Sequence, residues 1–183
     1  MKFNEVQVHE LISEEKIKRR VAELARQISS DYANQELTVV GVLKGSWIFL
    51  ADLVRQVTVP VVIDFMAVSS YGKSTDSSGV VKIVTDLRCP LENRNVLLVE
   101  DILDSGLTLK YIIKHIKLRG PSSLRVCALM DKPARRRVDI KADYVGFGVP
   151  DKFVVGYGVD YDERFRNLPY VGYIEENDET EEG

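Results

Sequence analysis

Cysteine is nearly absent from this chain of 183 residues, which holds only Cys89 and Cys127. Two thiols cannot build the bridged framework of a small secreted domain, and they suit a reducing compartment. Histidine is equally scarce. His9 and His115 stand apart from any cluster of ligands or nucleophiles, and neither is assigned a role. No apolar run approaches the length of a membrane span, so no membrane partner is expected. The opening residues Met1-Lys2-Phe3-Asn4-Glu5 lack the apolar stretch of a secretion signal. A charge excess is missing as well. The formal net charge of -3 gives no global argument for nucleic acid or an anionic membrane. Repeats and long linkers are not seen. What remains is a cytoplasmic globular chain, 45% hydrophobic and 29% charged, long enough for one domain with a sizeable core. That domain is expected over residues 1–175, with 176–183 an acidic disordered tail.

What is present centres on residues 96–109. Val96-Leu97-Leu98-Val99 is a continuous apolar run, as in a strand buried on both faces. Glu100 and Asp101 stand where that strand is expected to end. Asp104, Ser105, Gly106 and Thr108 make a short loop, and Leu107, Leu109, Ile112, Ile113 and Ile116 recur as on a helix. Backbone N–H groups at a helix N-terminus, with small hydroxyls beside them, form an anion site. Carboxylates next to such a site call for a divalent cation or sugar hydroxyls between them and a phosphate. The stretch therefore predicts a phosphosugar or nucleotide site at the carboxyl end of a parallel sheet.

The flanking chain agrees. Ser13 reads as an N-cap for a helix over about 14–32, with Glu14 and Glu15 suiting its dipole. Residues 37–43 read as a buried strand running into Lys44-Gly45-Ser46 and a helix from Trp47 to about 57. That turn is either a plain βα turn or a second anion site, in which Gly lets backbone approach a phosphate and Lys adds charge. Residues 61–68 and 80–84 read as an antiparallel hairpin whose polar tip, about 69–80, has the length of an active-site lid. Two more strands are expected, over 124–130 before Asp131-Lys132-Pro133 and over 144–149. Phe153 is either core or a ring-stacking platform, and the charged run from Asp160 to Arg166 reads as a surface ion-pair cluster. The order of elements gives an α/β fold with a mainly parallel sheet flanked by helices. Lys44, Glu100, Asp101, Asp104 and Lys132 then all fall at one edge, the carboxyl ends of the strands.

Residues 96–109, with apolar residues, two acids, two more residues and then Asp-Ser-Gly-X-Thr, resemble the phosphoribosyl-diphosphate motif of the type I phosphoribosyltransferases. Gly41-Val42-Leu43-Lys44-Gly45, Ser70-Tyr71-Gly72, Lys132 and the run from Val145 to Arg166 resemble one branch, the hypoxanthine-guanine phosphoribosyltransferases. The likeness covers nearly all of residues 1–175. It implies a twisted central sheet, a small hood built from the N- and C-terminal segments, and a flexible hairpin lid with Ser70 and Tyr71. The implied reaction joins hypoxanthine or guanine to 5-phosphoribosyl 1-diphosphate, giving IMP or GMP and diphosphate. By the same resemblance Asp104, Ser105, Gly106, Leu107 and Thr108 wrap the 5′-phosphate. Glu100 and Asp101 face the ribose hydroxyls and one Mg²⁺, and Asp160 serves a second. Lys44, Gly45 and Arg166 hold the diphosphate, and Leu43–Lys44 is expected to be a cis peptide. At the base, Phe153 stacks, Lys132 donates to O6, the Val154 backbone and Asp160 read the ring edge, and Asp104 is the general base at N7. Leu107 fills a slot often held by Lys or Arg, and Ser105 replaces the commoner Thr. Relatives form homodimers and homotetramers.

Other readings of the same residues fit less well or differ in the base used. Adenine-specific relatives usually carry Ala at the Asp104 position, and a Lys donor argues against an amino group. Xanthine, which differs at the 2-position, stays among the acceptors. RNA-binding regulators on the same fold usually place an aromatic residue at the Asp104 position and need a basic face. A phospho-acceptor signalling domain would have its acidic pair on an earlier strand.

Overall fold

The computed structural model describes residues 6–70 and 81–175. In order these are β1 Val8–Ile12, α1 Glu14–Asp31, β2 Leu37–Leu43, α2 Trp47–Val54, β3 Val61–Ser70, β4 Val81–Thr85 and β5 Asn95–Leu103. Then come α3 Leu107–Lys117, β6 Ser123–Asp131, a 3-10 turn Pro133–Arg135, β7 Tyr144–Gly148, β8 Phe153–Val155 and β9 Val171–Ile174. Most of the expected lid, including Tyr71, and the acidic tail lie outside the described residues; Ser70 closes β3. Among the described residues no helix is long and apolar enough to cross a membrane.

Helix α1 begins where its cap requires. Ser13 is extended and its hydroxyl accepts the Lys16 N–H at 3.4 Å. Ile17, Val21, Leu24, Ala25 and Ile28 fall on one face and are buried together. Helix α2 stops earlier than its apolar pattern suggests. The N–H groups of Gln56 and Val57 both turn back to the Leu53 carbonyl and close it.

The main sheet has the order β4-β3-β2-β5-β6-β7. All its pairings are parallel except β3 with β4, the expected hairpin. Alternate strand residues enter two separate cores. Val39, Leu97, Val99, Cys127 and Leu129 pack with α1 and α2. Val40, Val42, Leu98, Val126 and Ala128 pack with Leu109, Ile112 and Ile116 of α3 on the opposite face. Helices on both faces explain why these strands read as unbroken apolar runs. A second sheet, β1-β9-β8, is antiparallel and joins the two ends of the chain, with Val8 opposite Ile174 and Val154 opposite Tyr173.

The winding reverses between β2 and β5. From β2 the chain crosses by α2 to β3 on one side; from β5 it crosses by α3 to β6 on the other. Such a switch point leaves a crevice at the carboxyl ends of the strands. The register shows where it opens. β2 pairs with β5 from Leu37↔Asn95 to Gly41↔Val99 and no further. Beyond that, Val42 and Leu43 pair with β3, while Glu100 pairs with Ala128 of β6.

Candidate active site

A cavity of about 860 Å³ fills that crevice. Val42, Leu43 and Gly45 line one wall, Glu100, Asp101 and Ile102 the floor, and Asp104, Ser105, Gly106 and Thr108 the far end. The 3-10 turn and the residues after it close the side with Ala134, Arg135, Arg136 and Arg137. The two carboxylates lie within β5 rather than at its end. β6 keeps pairing past them, with Ile102 opposite Met130 and Leu103 opposite Asp131.

The turn from β5 into α3 is built for backbone exposure. Gly106 is the helix N-cap with φ +80°, a left-handed conformation that costs a residue with Cβ. A Cβ there would also come within 2.6 Å of Ile140 Cγ2. The Ser105 hydroxyl accepts from Leu107 N–H at 3.4 Å. The loop is braced from outside. Arg137 N–H donates to the Ser105 carbonyl at 2.9 Å, and Arg136 donates to the Asp104 carbonyl at 2.9 Å while pairing with the Asp131 carboxylate. Side-chain Oδ1 of Asp104 is buried without a partner among the described residues. A buried acceptor left unpaired is costly unless something else completes it.

Glu100 is 7% exposed. Burial pushes its carboxyl well above the usual carboxylate range, and the neighbouring Asp101 pushes it further. Burial also raises Asp101, against the opposing pull of the Ile102 N–H, at 2.8 Å, and of the Arg166 charge. A raised carboxyl supports folding most below its unfolded pKa, and that support is lost as pH rises through the folded value. At neutral pH the pair therefore destabilises the fold. Glu100→Gln is expected to raise Tm at pH 7, by about 2–4 °C for each kcal/mol regained, and to change it little near pH 4. Thermal denaturation at the two pH values checks this; a lower Tm at pH 7 would show that ionised Glu100 is stabilised by the site.

Asp101 also fixes the opposite wall. Its carboxylate lies so close over Gly45 that any Cβ at Gly45 would overlap it. Gly158 packs on the Gly45 carbonyl from the other side, again leaving no room for a Cβ. The peptide between Leu43 and Lys44 is cis. Lys44 points outward, its Nζ 2.9 Å from Glu163 Oε2. Arg166 donates to the Gly158 carbonyl at 2.8 Å and to Asp160 Oδ1 at 2.7 Å.

Lys132 reaches the chain just before β8, the strand that Phe153 opens. Lys132 is 4% exposed; its N–H holds the Leu103 carbonyl at 3.0 Å and its Nζ donates to the Lys152 carbonyl at 2.8 Å. The Phe153 ring is 46% exposed and meets Tyr161 edge-on, with centroids 5.4 Å apart. Exposure of that kind fits a platform better than core. Val154 is buried, on β8 at the edge of the small sheet.

The structure thus brings Gly45, Glu100, Asp101, Asp104, Ser105, Gly106 and Thr108 into one cavity. Lys44, Leu107, Lys132, Phe153, Val154, Asp160 and Arg166 stand outside its wall, several of them joined to it by the contacts above. Sequence reasoning passed over Arg135, Arg136 and Arg137. Their signal was three consecutive cations just beyond Lys132, at the edge where the strands end. Nothing in the sequence sets Glu163 apart from the charged run around it.

This geometry coincides with a family model described as a phosphoribosyl transferase domain, which matches residues 7–162. The class is therefore defined by fold, site and sequence alike. The hypoxanthine-guanine phosphoribosyltransferase of Bacillus subtilis is 52% identical over 164 residues, covering 90% of this chain and 91% of the relative. That of Aquifex aeolicus is 54% identical over 167 residues, covering 91% and 94%. The crystal structure of a hypoxanthine-guanine phosphoribosyltransferase from Bacillus anthracis superposes with a TM-score of 0.89 at 47% identity, covering 93% of this chain and all of that one. The chain belongs to the phosphoribosyl transferase family, on its hypoxanthine-guanine branch.

Proposed function

We propose that this protein transfers the phosphoribosyl group of 5-phosphoribosyl 1-diphosphate to hypoxanthine or guanine, releasing IMP or GMP and diphosphate in purine salvage. The observation that carries it is Asp104. A carboxylate oxygen is buried, with no partner among the described residues, at the head of a helix-N-terminal loop in the same cavity as Glu100 and Asp101.

In this reading the backbone N–H groups of residues 105–108, with the Ser105 and Thr108 hydroxyls, bind the 5′-phosphate at the start of α3. Glu100 and Asp101 lie under the ribose hydroxyls. Asp104 accepts the proton from purine N7 as N9 attacks C1′ and the C1′–diphosphate bond breaks. Among the described residues its Oδ1 has no partner to displace before doing so. Phe153 supplies the stacking face, and Lys132 the donor to O6. The carboxylates are the groups placed to face the positive charge that develops on the ribose. Lys44, Gly45 and Arg166 receive the diphosphate.

Mg²⁺ fits the donor set. Glu100 and Asp101 are two adjacent buried carboxylates held above their usual pKa. Among the described residues no three acidic, His or Cys side chains converge on one point. Mg²⁺ commonly takes one or two carboxylates and completes its shell with water and substrate oxygens. For a second ion, Asp160 would share with the metal the Oδ1 that now accepts from Arg166. When bound, Mg²⁺ supplies positive charge to the leaving diphosphate. The domain is proposed to span residues 1–175 and to assemble as a homodimer or homotetramer. Its two free cysteines suit the cytoplasm.

The test is to incubate the protein with phosphoribosyl diphosphate and Mg²⁺ plus hypoxanthine, guanine, xanthine or adenine in separate reactions, and to follow nucleotide formation. Nucleotide is expected from hypoxanthine or guanine. Activity with adenine alone, or with no base, would overturn the reading.

A further inference from the structure

The two cations assigned to the diphosphate above are both engaged by one side chain of the chain itself. Glu163 Oε2 lies 2.9 Å from Lys44 Nζ and 3.3 Å from an Arg166 Nη atom. Lys44 follows β2, and Glu163 is 119 residues further on, so only the fold brings them together. We propose that Glu163 is an internal competitor of the diphosphate, a carboxylate that occupies its two cations and must be displaced when it binds. This rests on the proposed function, in particular on Lys44 and Arg166 as the diphosphate site.

Three features support a purpose for the contact beyond surface chance. First, the backbone presents Glu163 at a cost. Asp162 and Glu163 have φ of 50° and 62°, between Tyr161 and Arg164, which bond each other in both directions at 3.2 and 3.0 Å. Two successive left-handed residues are the centre of a type I′ turn, where Asn, Asp and Gly are preferred and Glu is not. Second, the turn is pinned. Glu163 N–H donates to Asp160 Oδ2 at 2.9 Å, while Asp160 Oδ1 holds Arg166. The Glu163 carboxylate is thus delivered onto the cations by the residues that hold one of them. Third, the pairing is exposed. The Lys44 and Glu163 side chains are 66% and 65% exposed, and solvent-exposed pairs are weak and readily screened. An internal competitor needs that weakness. With Asp160 already on Arg166, the Glu163 carboxylate balances the remaining positive charge, yet a multiply charged diphosphate replaces it easily.

Removing the competitor should strengthen diphosphate binding. Titration calorimetry of inorganic diphosphate with Mg²⁺ into Glu163→Gln is expected to give a Kd about 2- to 10-fold lower than wild type, the range open to weak exposed pairs. The KM for phosphoribosyl diphosphate should fall in parallel. Glu163→Asn must give the same gain. Asn suits the left-handed backbone, so a difference between the two variants would assign the effect to the turn and overturn the proposal. In a Lys44→Ala background the gain from Glu163→Gln should shrink, because one of the contested cations is gone; an undiminished gain also overturns it. If wild type binds diphosphate and Glu163→Gln binds it no more tightly, Glu163 is not a competitor and the diphosphate site stands. If wild type binds no diphosphate, or Lys44→Ala binds it as well as wild type does, the assignment of the site falls and the role of Glu163 falls with it.

Discussion

Asp104→Asn is expected to lower kcat by about 10²–10⁴-fold, the range over which a positioned general base contributes. The substitution keeps shape and removes one function. The Asp104 backbone carbonyl, which Arg136 holds at 2.9 Å, is unaltered. The loop through Ser105 and Gly106 keeps its own bonds to Arg137 and Lys110. Affinity for the 5′-phosphate should therefore persist, and KM for phosphoribosyl diphosphate should stay within a few-fold of wild type. What is lost is the acceptor: Oδ1 is buried, faces no partner among the described residues, and can take a proton only as a carboxylate. A fall in kcat at nearly constant KM is the pattern of an interaction made in the transition state. The measurement is initial rate against both substrates, with ribose 5-phosphate binding as a control for the intact 5′-phosphate loop. Full retention of kcat would show that Asp104 only positions the base, and the catalytic role would pass to another group. A parallel collapse of binding would show that the residue acts through the loop.

The same residue shows how far the sequence could be read. Residues 96–109 announced strand, loop and helix through local signals alone: an unbroken apolar run, small residues, then a 3.6-residue period. Those signals are written where the structure uses them, as they are for Ser13 and α1. The extent of β5 past Glu100 was not written locally. It depends on β6 continuing alongside, with Ile102 opposite Met130, and two acids in succession look like the end of a strand. β1 and β9 carry no local strand signal either, because they pair segments far apart in the chain, Val8 with Ile174. Neither segment alone has a strong period. The brace of Arg136 between Asp104 and Asp131 was hidden for a related reason. A cation in a run of three reads as solvated surface until the fold shows which carbonyl it reaches. The candidate site was thus legible where one loop carries it and illegible where partners come from separate strands.

Lys132 belongs to the second kind, and its replacement should change specificity more than stability. Lys132→Met keeps the stem that packs at 4% exposure and removes the ammonium. Its N–H bond to Leu103 is a backbone contact and survives, so the junction between β6 and the end of β5 should hold. The ammonium spends one donor on the Lys152 carbonyl at 2.8 Å, with Asp151 Oδ1 at 3.9 Å, and has three donors in all. Donors therefore remain for a purine O6 lying against Phe153. A hydrogen bond from a charged donor contributes about 1.5–3 kcal/mol, which is about 10- to 150-fold in kcat/KM for hypoxanthine and guanine. Adenine presents an amino donor at the same position, so with Lys132 in the proposed role the wild-type site should disfavour it, and the variant should lose that penalty. The expected result is a compressed ratio of oxopurine to adenine use, with kcat/KM for the oxopurines falling and that for adenine level or rising. Competition between the two base types in one reaction reads the ratio directly. An unchanged ratio, with rates for all bases falling together, would show that Lys132 holds the Lys152 carbonyl and the hood rather than reading the base.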